Sequence, residues 1–174
     1  ASGTDRIFEA ITKIDNADIF DVIINLQGDM PIIDSLAIRK VSEPLIQGFD
    51  IGTLVTNINF EDEKNKNITK AKIKWITKNQ LGEAVNFYKI SQNTLIDIYH
   101  HVGIYSFNYR TLKRFVSMKP SLNEIELKLE QMRAIDARMS IGVSFVENIP
   151  LSVDSKEDLK KVESIIKSNY DKRN

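Results

Sequence analysis

The stretch Asp21-Val-Ile-Ile-Asn-Leu-Gln27, followed at once by Gly28-Asp29-Met30-Pro31, constrains this chain most. It is a nearly continuous run of β-branched and apolar residues that ends in a hard turn. A run apolar on both faces is predicted to be a strand inside a covered, parallel sheet. Gly28 lets the backbone turn sharply and Pro31 fixes the exit. Open α/β sheets gather their ligand sites outside the C-terminal ends of such strands. Asp29 is therefore the first candidate functional residue, although a Gly-Asp-x-Pro sequence on its own is more often only a turn.

The rest of the chain alternates in the same way. Residues Asp5–Asn16 carry Ile7, Ala10, Ile11 and Ile14 at helical spacing, with Thr4 available as N-cap. Asp34 is predicted to cap a helix running to about Gln47, stopped by Gly48. Strands are predicted at Ile51–Ile58, Ala71–Thr77, Glu83–Ile90, Tyr99–Phe107 and Ile141–Val146. A polar loop covers Glu61–Asn67, and a turn at Lys78–Gly82 joins the second and third of these strands. Helices are predicted near Thr111–Val116, at Asn123–Ala137 after Pro120-Ser121, and at Lys156–Lys167. Helices at both ends around a run of strands favour one mixed α/β domain over residues 1–168, with a partly parallel sheet and an antiparallel excursion. Residues 169–174 are expected to fray.

Composition narrows the function classes. The 174 residues hold 24 basic and 24 acidic side chains, so the net charge is zero, which argues against a broad electrostatic hold on nucleic acid or an anionic membrane. There is no cysteine, which excludes disulfides, thiolate metal sites and cysteine nucleophiles. Apolar runs are too short to span a bilayer, and no signal peptide opens the chain. The cytoplasm is the default location.

Few residues carry chemistry by type and place. Asp154 lies in Ser152-Val153-Asp154-Ser155-Lys156-Glu157-Asp158, where it or Ser155 caps the last helix. Two carboxylates on separate loops at one sheet edge, Asp29 and Asp154, suit magnesium, which takes one or two carboxylates and completes its octahedron with water and phosphate. His100 and His101 are adjacent on a strand, so they point to opposite faces and do not ligate one ion together. Tyr105 shares a face with His101, and the pair reads as one wall of a polar pocket. On the helix 123–137, Glu126 pairs in space with Glu130, and Glu130 with Arg133; surface helices are full of such pairs. No glycine-rich phosphate loop or nucleophile elbow is present.

The order of these pieces is more specific than any one of them. Ser2-Gly3-Thr4-Asp5-Arg6, then Gln27-Gly28-Asp29, then His101-Val-Gly-Ile-Tyr105, then Leu129-Glu-Gln-Met-Arg133, then Val153-Asp154-Ser-Lys-Glu-Asp-Leu159 together resemble the 3-deoxy-manno-octulosonate (KDO) cytidylyltransferase family, also called CMP-KDO synthetases. The resemblance covers almost the whole chain. It implies a Rossmann-like nucleotide-diphospho-sugar transferase sheet and a magnesium-dependent reaction of lipopolysaccharide biosynthesis. In that reaction the anomeric hydroxyl of KDO attacks the α-phosphorus of CTP, giving CMP-KDO and pyrophosphate. It implies that Asp29 and Asp154 are the catalytic, magnesium-binding aspartates. It implies that Ser2, Gly3 and Gln27 lie at the nucleotide, and that His101, Tyr105, Glu130 and Gln131 surround the sugar acid. The partners implied are CTP and KDO, with no nucleic acid and no membrane.

The departures from the family shape a second reading. The family opens with a strand and an Arg/Lys/Gly/Pro-rich loop that wraps the CTP phosphates, and no such opening is present. The sheet is accordingly expected to be incomplete at its N-terminal side, and the chain to need a homodimer or a complementing N-terminal fragment. The family's Gln-Gly-Asp-Glu-Pro reads Gln-Gly-Asp-Met-Pro, with Met30 in place of an acid, and Phe-Ser-Arg reads Phe87-Tyr88-Lys89. Lysine does not reproduce the two-point grip of arginine on a carboxylate. The alternative is a truncated or degenerate non-catalytic homologue with weak nucleotide or magnesium binding. On either reading this chain alone is expected to be inactive.

Overall fold

The computed structural model describes residues 2–14, 19–59, 62–89, 97–148, 151–153 and 155–171. Six strands form one sheet: β1 (Ile23–Asn25), β2 (Ile51–Thr56), β3 (Lys70–Thr77), β4 (Leu81–Tyr88), β5 (Ile98–Phe107) and β6 (Ile141–Phe145). Their order is β1-β5-β2-β6-β4-β3. Only β2 and β6 pair in parallel among the described residues, and every other pairing is antiparallel. The long β5 pairs with β2 on one side and with β1 and then β3 on the other, so that β5, β3, β4, β6 and β2 form a closed ladder.

The fold is the expected mixed α/β sheet, but β1 is not an inner parallel strand. It is short, antiparallel to β5, and paired on one side only among the described residues. The apolar run does mark a strand covered on both faces. Ile23 belongs to the larger core with Ile51, Phe87, Phe107 and Leu112, whereas Ile24 packs on a smaller core of Ala37, Val41, Leu54, Val102 and Ile104. Burial on two faces is written in the composition, and strand direction is not.

Seven α-helices and a short 3-10 helix at Asp62–Lys64 lie among the described residues: α1 (Gly3–Ile11), α2 (Ser35–Lys40), α3 (Glu43–Ile46), α4 (Tyr109–Ser117), α5 (Leu122–Leu127), α6 (Met132–Asp136) and α7 (Lys156–Asp171). The N-cap of α1 is Ser2, in a capping box with Asp5, and not Thr4, which is 2 % exposed inside the fold. Asp34 caps α2 as expected, by accepting from the Leu36 N–H, and Gly48 ends the region at φ +89°. Pro44, which has no N–H and fits only a first turn, starts α3 as a separate short helix. The predicted helix 123–137 is likewise two helices, because Lys128 adopts a left-handed conformation at φ 54° and closes α5. Helix α7 runs on to Asp171, beyond the expected end at Lys167.

Candidate functional site

The turn after β1 is built as the sequence suggests. The Met30 N–H donates to the Gln27 carbonyl at 3.2 Å, and Asp29 stands exposed at its tip. The Val153 N–H donates to the Asp29 carbonyl at 2.8 Å. The segment leading out of β6 therefore touches the turn leading out of β1. Asp154 itself lies outside the described residues, so the expected pairing of its carboxylate with Asp29 has no described geometry. No cluster of three or more potential metal-ligating side chains occurs among the described residues. Magnesium needs only one or two carboxylates, and an exposed Asp29 hydrogen-bonded to the backbone beside position 154 fits that demand.

Beside this junction lies an open groove of about 830 Å³, bordered by Met30, the loop 65–69, Lys89, His100 to Gly103, Leu151, Ser152, Ser155 and Asp158. Both histidines border it, against the expectation that they would serve opposite faces; loops at several strand ends rim the groove along with β5. His101 is almost wholly buried. Its Nε2 lies 3.0 Å from Thr53 Oγ1, and that hydroxyl sits 2.8 Å from the Ile104 carbonyl. The hydroxyl has one proton, which the carbonyl takes, so the imidazole Nε2–H is the donor to Thr53. Phe87 stands edge-on to the ring at 5.0 Å and Tyr105 packs at 5.5 Å. Burial, then the neighbouring His100 and Lys89 charges, lower the His101 pKa to about 3. The ring is therefore neutral at physiological pH. Burial also lowers His100, opposed by Asp62 and aided by Lys70.

The expected face-sharing of His101 and Tyr105 holds, although Gly103 and Ile104 bulge out of the ladder with β2 between them. Tyr105 turns to a second, small cavity of about 10 Å³ with Thr4, Glu130 and Gln131. Burial first and the Glu130 carboxylate second raise its pKa, so the phenol stays protonated. Glu130 accepts from Ser2 Oγ at 2.6 Å. An added Cβ on Gly3 would lie 3.7 Å from the side-chain amides of Asn25 and Gln27, and Gln27 Nε2 donates to Asn25 Oδ1 at 3.0 Å. Ser2, Gly3, Gln27, Tyr105, Glu130 and Gln131 are thus contiguous through short contacts. His101 joins them through Tyr105.

Two expected pairs are corrected. Arg133 does not pair with Glu130, and Glu126 shares no helix with Glu130, because the chain breaks at Lys128. Arg133 forks onto Glu124, with Nη2–Oε1 at 2.6 Å and Nε–Oε2 at 2.8 Å, and its guanidinium lies 4.8 Å from the Phe115 ring centroid. Hydrogen bonds to that carboxylate raise the Arg133 pKa further. The Ser121-x-x-Glu124 capping box marks the true start of α5 and was legible in the sequence. Thr53 and Asn25 left no such signal: each is one small polar residue within an apolar strand.

The six-stranded mixed sheet, with a groove at its strand ends, makes this an α/β protein. A solved UDP-glucose pyrophosphorylase complexed with UDP-glucose shares the fold at TM-score 0.54, covering 95% of this chain and 62% of that one, at 12% identity. The cytidylyltransferase family profile matches residues 1–141. A 3-deoxy-manno-octulosonate cytidylyltransferase of Paramagnetospirillum magneticum is 38% identical over 170 residues, covering 96% of this chain and 69% of its own length. That of Rhizobium johnstonii is 40% identical over 172 residues, covering 97% and 68%. A solved structure of CMP:2-keto-3-deoxy-manno-octonic acid synthetase complexed with CTP superposes at TM-score 0.81 and 26% identity, covering 97% of this chain and 69% of that one. The chain belongs to the 3-deoxy-manno-octulosonate cytidylyltransferase family, and spans about two thirds of the length of these relatives.

Proposed function

We propose that this chain carries the sugar-acid side and the metal-binding loops of a cytidylyltransferase that joins CTP to 3-deoxy-manno-octulosonate, releasing pyrophosphate. The observation that carries this reading is the 2.8 Å hydrogen bond from Val153 to Asp29, beside a groove bordered by His101 and Lys89. It ties the backbone at Val153 to the turn that bears Asp29, which supports a shared site for Asp29 and Asp154. A magnesium ion held by those two aspartates would orient the triphosphate and offset charge at the reacting phosphorus. Neutral His101, with Nε2–H held by Thr53, leaves Nδ1 as an acceptor for a sugar hydroxyl. Tyr105, kept protonated, packs on the His101 ring from the side of the small cavity and steadies it. Lys89 supplies positive charge for the sugar's carboxylate. Glu130, held by Ser2, ties the start of α1 to the sugar side, and Gly3 with Gln27 offers a close backbone approach for a nucleotide base.

The proposed substrates are water-soluble and the cytoplasm is the compartment proposed for the reaction; no helix among the described residues is long and apolar enough to cross a membrane. Among the described residues β1 is paired on one side only, which favours completion of the sheet by a second polypeptide segment or a second copy. Met30 and Lys89, where the family pattern has Glu and Arg, favour a second reading, a homologue that binds without turnover.

The experiment is pyrophosphate release from CTP. Release that needs both KDO and magnesium, and that Asp29→Ala abolishes, establishes the transferase. KDO binding without any release, even with the N-terminal third of a family relative supplied in trans, establishes the non-catalytic reading.

A further inference from the structure

Among the described residues, one of the largest fully buried side chains is a lysine. Lys70 has no exposed surface, and it opens β3 directly after the loop that walls the groove. Its Nζ donates to the carbonyls of Asn65 at 2.5 Å, Ile68 at 2.9 Å and Lys89 at 3.0 Å. Three backbone acceptors on one nitrogen match the three protons of an ammonium. Two of these carbonyls belong to the groove's loop and the third to the residue that leaves β4. Lys70 also sits opposite His100 in the β3–β5 ladder, and the neighbouring Thr69 carbonyl accepts from the His101 N–H at 2.9 Å.

Burying an ammonium costs more than burying a methionine or leucine of similar volume. A wall needing only to be filled would be cheaper to fill with an apolar side chain. What an apolar side chain cannot do is hold three carbonyls from two separate segments at one point. With those carbonyls fixed, the Lys89 side chain leaves the backbone in a set direction, its Nζ 3.5 Å from Thr69 Oγ1 at the groove's edge.

We propose that Lys70 is a positioning residue: its buried ammonium clamps the loop 65–69 to Lys89 and so sets the cationic wall that receives the sugar acid's carboxylate. The assignment of that carboxylate rests on the function proposed above. The clamp itself does not.

The test separates the two. Hydrogen exchange by mass spectrometry is recorded on the full 174-residue chain and on Lys70→Met, Lys70→Arg and Lys89→Ala, each first checked for a cooperative melt. Without ligand, Lys70→Met is expected to speed exchange across 65–69 and at the end of β4 at least tenfold, leaving β2 and β6 unchanged. Lys70→Arg, which keeps charge and donors, is expected to restore part of that protection. Calorimetric titration with KDO is then expected to show at least tenfold weaker binding for both Lys70→Met and Lys89→Ala. Unchanged exchange at 65–69 in a folded Lys70→Met protein overturns the clamp, as does a uniform rise over the whole sheet. If Lys70→Met does not fold, the clamp is read from Lys70→Arg. Exchange at 65–69 faster there than in Lys89→Ala, which keeps the Lys70 ammonium and all three carbonyls, sustains it, and exchange no different from Lys89→Ala overturns it. If the unaltered chain binds no KDO while the clamp effect is present, the functional reading fails and the clamp stands.

Discussion

Removing Glu124 should expose how the site's back wall is held. Glu124 and Arg133 are joined by two short hydrogen bonds, their side chains are only 12% and 6% exposed, and Phe115 covers the guanidinium. The segment between them carries Glu130 and Gln131. Glu124→Ala leaves a buried, permanently charged arginine without its counter-ion. Breaking such a pair from one side costs about 3–5 kcal/mol. The lost capping contact from Glu124 Oε2 to the Ser121 N–H, 3.2 Å long, is a smaller addition. At about 2–4 °C per kcal/mol for a domain of this size, the melting temperature should fall by roughly 6–20 °C. Glu126→Ala, two positions away and exposed, should change stability by less than about 0.5 kcal/mol. The double substitution Glu124→Ala with Arg133→Met should recover part of the loss, since no charge is then stranded. Thermal and urea unfolding followed by circular dichroism reads all three. A Glu124→Ala protein within about 1 kcal/mol of the unaltered chain would refute the reasoning, and so would a double variant less stable than the single.

Other expectations test separate parts of the account. Thr53→Val should cost about 1–3 kcal/mol by stranding the His101 Nε2–H, measured by urea unfolding, whereas a neutral result would mean that the ring finds another acceptor. His101 has a folded pKa of about 3, below its ordinary value of 6.5, so the unfolded chain binds the extra proton between those values. Its contribution to stability is full above about pH 6.5 and is lost as pH falls toward 3. His101→Gln should flatten the acid limb of a stability–pH curve, and a His101 imidazole titrating above pH 6 by NMR would contradict this. Gly142→Ala should fold poorly, because a Cβ there would lie 2.4 Å from Pro44 Cβ and 2.6 Å from the Phe49 ring, and a soluble variant with an unchanged melt would show that α3 moves away freely. Manganese added as a paramagnetic stand-in for magnesium should broaden NMR signals at 28–31 and 152–155 together and lose the effect in Asp29→Ala; broadening at only one loop would end the shared-ion proposal.

What the sequence makes legible is local and periodic. The strand at Ile23, the Asp34 cap, the Gly48 stop and the pairing of β3 with β4 all follow from apolar pattern and turn chemistry. Strand direction was not legible, because burial on two faces suits an antiparallel strand between two cores as well as a parallel one. The break at Lys128 escaped detection because lysine carries no turn signal, and it undid every helical spacing argued across it. Of the site, the family resemblance set Ser2, Gly3 and Gln27 at the nucleotide and Tyr105, Glu130 and Gln131 at the sugar acid; the structure shows the two groups in short contact with each other. Lys70 and Thr53 were not legible: their importance comes from carbonyls and a ring nitrogen brought from distant strands.

The central claim is that the groove beside the Asp29 turn receives the sugar acid. Chemical-shift mapping with KDO on the isotope-labelled chain tests it directly. The expected result is saturable perturbation at Lys89, His101, Gly103 and the loop 65–69. Perturbation confined to the separate pocket formed by Leu36, Lys40, Val146 and Asn148 would contradict the claim, as would a folded chain whose spectrum KDO leaves unchanged.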